Sequence, residues 1–513
     1  MGGVTRRDML SVMAGLGALG LAPAMAAGLN EPVGMTLGAA TPFDADMIVV
    51  RARALASDPY IPPPPVSEDW LNLSYDAFRH IWFDTRHTLF RGQPGAVQAE
   101  FFVAGLFFPH KIVVNAVSGG QSRPVTFELR TFETTDDFPE LAAKETGFAG
   151  FRLLGELVTP DIFQEYAVFQ GASYFRAIGQ GQAYGLSARG LALNTATSSP
   201  EEFPIFREFW IEAAAPDAPS VTVHALLDSP SVAGAYSFTI TRGADTQMAV
   251  SATLFPRSAL ATAGIAPGTS MFLFNDIDRT RFDDFREAVH DSDGLLMHNG
   301  AGEVLWRPLS NPRTVQTSSF ADQNPRGFGL MQRARTPGDY NDLEAHYERR
   351  PSLWVEPLGD WGPGAVRLVE LPTDKEINDN IVAFWRPEAP LMAGKAHRFD
   401  YILHWCALAP TERSVAPVTA TRSGARVFEP GRIFTIDYAP HPALGEDAAL
   451  IEARVTTSVG QITHTLLQSN PATGGMRLDL TLLTDAPTAE LRAELWRNDA
   501  RVAEVWLNRW NMS

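Results

Sequence analysis

The chain has 513 residues, 45% of them hydrophobic, and a formal net charge of −17. That acidity argues against binding a phosphate backbone, which needs clustered Lys and Arg, and suits a neutral ligand better than a polyanion. The single cysteine, Cys406, excludes an internal disulfide, so stability must come from the large core that a chain of this length can bury.

Residues 1–26 read as an export leader. Thr5-Arg6-Arg7-Asp8-Met9-Leu10 is a twin-arginine pattern, an apolar stretch runs from Leu10 to Ala22, and Ala24-Met25-Ala26 is a small-x-small cleavage site. The apolar stretch is shorter than the ~20 residues of a membrane span. A periplasmic mature protein is expected, folded before export, cleaved near Ala26 and without stable membrane insertion.

Thr41-Pro42-Phe43-Asp44 resembles a capping box with proline at the first helical position, predicting a helix to about Ala56 that Pro62 to Pro65 must end. Strand signals dominate from about residue 98. Tyr236, Phe238 and Ile240 alternate with Ser237, Thr239 and Thr241, and Val221–Leu227, Met271–Phe274 and Val366–Leu371 read the same way. Gly, Pro, Asn and Asp punctuate these runs at short intervals, which points to an all-β sandwich or barrel rather than βαβ units. A second short helix is expected at Asp342–Arg349, stopped by Pro351. Cys406, in Tyr401–Leu408, reads as a buried strand residue. Residues 409–422 are rich in Ala, Pro, Thr and Ser and read as a linker between a domain at 27–408 and one at 423–513. The alternation resumes beyond it, and about 90 residues with several strands match an immunoglobulin-like sandwich.

Familiar motifs fail on spacing. Gly179-Gln180-Gly181-Gln182-Ala183-Tyr184-Gly185 is one residue too long for a dinucleotide fingerprint, and strand-rich sequence follows it. The serines of Gly185–Gly190 and Asp228-Ser229-Pro230 form no nucleophile elbow. His290, His298 and His346 lack metal-helix spacing. No metal and no nucleotide cofactor are expected.

The informative stretch is Leu371–Trp385. Asp374, Glu376 and Asp379 crowd a polar loop between two strand-like runs, Ala365–Leu371 and Ile381–Trp385. Loops held by rigid strands favour chemistry, and carboxylates near apolar and aromatic groups can act as general acids. Three further pieces keep it company: His290-Asp291-Ser292-Asp293-Gly294, Tyr340–Tyr347, and Trp354, Asp360 and Trp361. Aromatic faces beside carboxylates suit a sugar site, with Trp354, Trp361 and Tyr347 expected as platforms or cleft walls.

Long segments in one order then resemble a known family. They are Gly171–Arg176, Tyr184–Ala192, Glu202–Ile211, Ala225–Pro230, Thr269–Phe274, His290–Ser292, Trp306–Leu309, Arg350–Trp354 and Asn378–Trp385. Together these resemble the periplasmic glucan biosynthesis proteins, the OpgG/OpgD (MdoG/MdoD) family; the twin-arginine leader is more like the OpgD branch. The resemblance implies a large N-terminal β-sandwich similar to galactose-mutarotase-type folds, then a small immunoglobulin-like domain. It implies action on β-1,2-linked glucans of the osmoregulated periplasmic type by an anomer-inverting acid/base mechanism, as in an endo-β-1,2-glucanase. Under it the general acid falls on Asp379, the proposed base on Asp291, and cleft contacts on Tyr347 and Glu376. Two alternatives stay open: a transglycosylating or cyclising enzyme, and a non-catalytic glucan-binding protein of the same pathway. β-1,2-Glucan is the expected partner, nucleic acid is not, and homodimerisation is left open.

Overall fold

The computed structural model describes residues 34–92, 97–159, 161–215, 218–411 and 414–512; the leader lies outside them. The period-2 runs become strands of two large, opposed sheets. Val232–Thr241 pairs antiparallel with Ser220–Asp228 and Thr246–Pro256, placing Tyr236 opposite Ala225 and Ala252. These strands belong to a sixteen-stranded sheet, and a nine-stranded sheet running from Gln316–Gln323 to Val97–Val103 lies against it. An aromatic seam joins the layers. Phe169 and Phe175 of the smaller sheet meet Phe238 of the larger at 5.2 and 5.1 Å, edge to face, and Phe151 meets Phe209 at 5.1 Å. Such pairs add about 0.5–1.5 kcal/mol each beyond the area they bury. The chain is all-β in class, its sheets layered as in a sandwich.

The C-terminal strands build a second pair of layers. Val418–Ala425, Arg432–Tyr438, Gly475–Leu483 and Gln461–Asn470 form a four-stranded sheet. Facing it, Thr488–Arg497 and Val505–Asn511 extend the large sheet, because Leu305 and Trp306 pair in parallel with Val505 and Trp506. Their core, with Phe434, Leu480 and Trp506, also takes in Trp306, Met331, Trp354 and Cys406 from the preceding chain. Strand structure resumes at Val418, inside the stretch read as a linker.

Both helix expectations are corrected in detail. The first helix spans Asp46–Ser57 with Ala45 at its N-cap and no side-chain cap. Thr41–Pro42 is instead a short strand on Gln121–Ser122, and the Thr41 hydroxyl donates to the Ser122 carbonyl at 3.3 Å. Ile48 and Ala52 bury against Trp210, Leu226, Ala235 and Phe255 on the outer face of the large sheet. No α-helix forms at 342–349. The Asp342 carboxylate accepts the N–H groups of Glu344 and Ala345, both at 2.8 Å, and His346 is left-handed at φ 48°. That side-chain turn outcompetes a helix, leaving only the 3₁₀ turn Tyr347–Arg349. None of the described helices is long and apolar enough to cross a membrane.

Candidate active site

The site hangs on one stretch of backbone, Ser270-Met271-Phe272, where a strand of the nine-stranded sheet passes into the pair Phe272–Phe274 with Val289–His290. On one side, the Asn380 N–H donates to the Ser270 carbonyl at 3.0 Å. The Asn380 side chain accepts the Phe272 N–H and donates to the carbonyls of Phe272 and Leu371, at 2.8, 2.9 and 3.0 Å. On the other side, the Asp291 N–H donates to Met271 at 2.8 Å, and the hydroxyls of Ser270 and Ser292 lie 2.6 Å apart. Asp379, next to Asn380, and Asp291 therefore flank the same strand. Both are buried, at 8% and 3% exposure.

Arginines dominate the electrostatics. Arg350 donates to the Asp291 carboxylate and to the Ala345 carbonyl (3.1 Å), and its guanidinium lies 4.3 Å from the centre of the Tyr347 ring. Burial pushes the Asp291 carboxyl above its ordinary value; Arg350 and Arg176 pull it back, and Glu376 pushes it further up. Arg176 is itself buried, which weakens its hold on its proton, against the opposing charge of Asp379 and then Asp291. It lies 5.9 Å over the ring of Tyr184. Burial raises the hydroxyls of Tyr184 and Tyr347 well above the ordinary tyrosine value, so both stay neutral donors. Glu376 meets Arg286 at 2.7 Å.

Four of the six residues expected at the site thus share one neighbourhood: Asp291, Asp379, Tyr347 and Glu376. The two tryptophans do not, and their expectation as sugar platforms is corrected. Trp354 is 1% exposed, on the large-sheet face that packs against the C-terminal layers. A Cβ at Gly327 would lie 2.1 Å from its ring, so glycine there makes room for it. Trp361 is enclosed by Trp385, Phe399 and Tyr401 at 5.8–6.3 Å. His290 is also structural: it stacks on Phe272, meets Tyr340 edge-on, and burial pushes its pKa down to about 3, which keeps it neutral. Among the described residues, no group of three His, Cys, Asp or Glu is placed to hold a metal ion.

Sequence reasoning missed Arg176, Arg350 and Arg286. The first two lie inside segments that carried the family resemblance, but only the fold shows that they converge on the aspartates.

Comparison with known proteins gives one consistent answer. A family model described as periplasmic glucan biosynthesis protein, MdoG, matches residues 43–510. Glucans biosynthesis protein G of Vibrio cholerae is 48% identical over 476 residues, covering 92% of this chain and 87% of the relative. The protein of that name from Rhodopseudomonas palustris is 46% identical over 508 residues, 99% of this chain and 100% of the relative. One from a Shewanella species is 47% identical over 476 residues, with 92% and 87% covered.

Proposed function

Because the chain belongs to the family of periplasmic glucan biosynthesis proteins, we propose that it is a periplasmic enzyme of osmoregulated glucan biosynthesis that cleaves β-1,2-glucan with inversion at the anomeric carbon. Asp379 is the general acid: its carboxyl proton goes to the glycosidic oxygen as the bond from that oxygen to the anomeric carbon breaks. Asp291 is on the base side, taking a proton, directly or through a sugar hydroxyl, from the water that attacks the opposite face.

The observation that carries this reading is the pair of buried carboxylates on either side of Ser270–Phe272. Residues flanking one strand stand about two strand spacings apart, ~10 Å between backbones. Inverting glycosidases hold their carboxyl groups roughly 6.5–9.5 Å apart to admit a water, and backbones on opposite sides of one strand leave room for a water or a sugar hydroxyl between the two side chains. Arg350 and Arg176 offset the charge of an ionised Asp291 in this buried site. Tyr347 and Glu376 supply hydroxyl and carboxylate contacts to the sugar.

The test is the product profile of linear β-1,2-glucan treated with mature protein. Asp379→Asn keeps shape but removes the transferable proton, so turnover should fall about 10²–10⁴-fold while glucan binding survives. Asp291→Asn should behave likewise. Asp374→Asn, at an exposed position of the same loop, should stay near the unmodified rate. Near-normal turnover by Asp379→Asn removes the acid assignment. Products longer than, or cyclised from, the substrate identify a transferase, and binding without any change of length or linkage identifies a binding protein.

A further inference from the structure

The acidic loop is held by more than its own strands. Its base is tied down by the Leu371 N–H to the Asn380 carbonyl at 2.8 Å and by Asn311 to Thr373 at 2.9 and 3.0 Å. Its crest, with Asp374, Lys375 and Ile377, is exposed. The outside anchor of that crest is Arg286, on an excursion between Phe274 and Val289 that leaves the sheet and returns beside the site.

The Arg286 fork grips carboxylates on three chain segments. Nε and Nη2 hold Asp284 at 3.0 and 2.8 Å, Nη1 holds Asp342 at 3.0 Å, and Nη2 also reaches Glu376 at 2.7 Å. Asp342 is fixed in turn, because its other oxygen accepts the N–H groups of Glu344 and Ala345. The excursion is pinned nearby by Phe282 stacked on Phe274 at 5.1 Å and by the Glu287 N–H on the Tyr340 carbonyl at 3.2 Å. A rigid support therefore reaches, through one planar cation, the loop that carries Asp379. The forked contact, to Asp284, sets the plane of the guanidinium, and Nη2 then pairs with Glu376 through a single ionic contact.

We propose that Arg286 is a positioning residue, holding Glu376 and the crest of the Leu371–Asn380 loop against the Asp342 turn so that the loop is set before a glucan arrives. The inference rests on the reading that Glu376 and Asp379 act on that glucan. Ordering a loop in the free protein spares the entropy of ordering it at binding, and misplacing a reacting group by about 1 Å can cost on the order of 10²-fold in rate.

Arg286→Met keeps the length of the side chain and removes its charge. Hydrogen exchange of the amides at 373–379 should speed up by about tenfold or more, with the flanking strands unchanged. On linear β-1,2-glucan, KM should rise and kcat should fall, by on the order of 10²-fold together in kcat/KM. Adding Glu376→Gln should cost less than the sum of the two single losses, because both act on one contact. Arg286→Lys should recover part of the activity. Unchanged exchange in the loop overturns the inference, and so does a fall in kcat at constant KM that tracks a lowered Tm. If the unmodified protein does not turn over β-1,2-glucan, the functional reading falls, whereas the exchange comparison still decides what Arg286 does.

Discussion

Asp291 shows how one residue's surroundings set its chemistry. Burial disfavours its charged form, Arg350 and Arg176 favour it, and Glu376 opposes it; burial wins. A base must be ionised to accept a proton, so kcat/KM should decline as pH falls through the Asp291 value, above the ~3.9 of a free aspartate. Removing the cation at Arg350 leaves burial and Glu376 less opposed, so Arg350→Met should move this acidic limb to higher pH. Rate profiles for both proteins on short β-1,2-glucans check this; coincident limbs would mean that Asp291 is not the base. The tryptophans teach the converse at the same scale. Sequence neighbourhood put Trp354 and Trp361 beside the acidic loop, but Trp354 lies on the strand face that packs against the C-terminal layers. Trp361, in the turn between two strands, is enclosed by Trp385, Phe399 and Tyr401.

At the scale of elements, the acidic loop works because its ends are strands and Asn380 locks its exit. That one side chain satisfies the Phe272 N–H and the carbonyls of Phe272 and Leu371. Asn380→Ala should leave these buried groups without that partner and cost about 1–3 kcal/mol, read as a lower midpoint in urea unfolding. Turnover should fall too, because Asp379 precedes Asn380 directly; an unchanged midpoint and rate would show that the loop holds its shape without the asparagine. The strands on either side were legible locally, one from alternation and the other as a short unbroken apolar run, Pro363–Glu370 and Ile381–Pro387 lying within a few residues of the runs read from sequence. The helix at 342–349 was not. Its pattern of apolar and polar residues fits a helix, but Asp342 binds the amides of Glu344 and Ala345 and diverts the chain into a turn. Local hydrogen bonding by a short polar side chain leaves no periodic signal.

Across the whole molecule, the C-terminal layers are fastened to the site's support. Arg333 meets Glu504 with two contacts at 2.7 and 2.8 Å and lies 3.5 Å over the Trp306 ring, while its N–H donates to Asp293 at 3.1 Å, two residues from Asp291. A structure joined this way, by one continuous sheet and one shared core, suits export in the folded state, the route that the arginine pair suggests. Changing Arg6 and Arg7 together to Lys should strand precursor in the cytoplasm, measured by fractionation and immunoblotting. Undiminished periplasmic protein would leave an ordinary secretory signal.

The sequence by itself determined the β class, the strands around the acidic loop, the family, and the four residues Asp291, Asp379, Tyr347 and Glu376 that the fold gathers. These are legible because alternation is local and long ordered segments are specific. Tertiary structure alone decided that the two aspartates flank Ser270–Phe272, that Arg176 and Arg350 converge on them while Arg286 meets Glu376, and that Trp354 and Trp361 belong to cores. The reason is separation along the chain: Arg176 and Asp379 lie some two hundred residues apart, and a charge buried beside its partner has no counterpart in the pattern of either segment. Pairing across a sheet brings them together, and only the folded sheet records it.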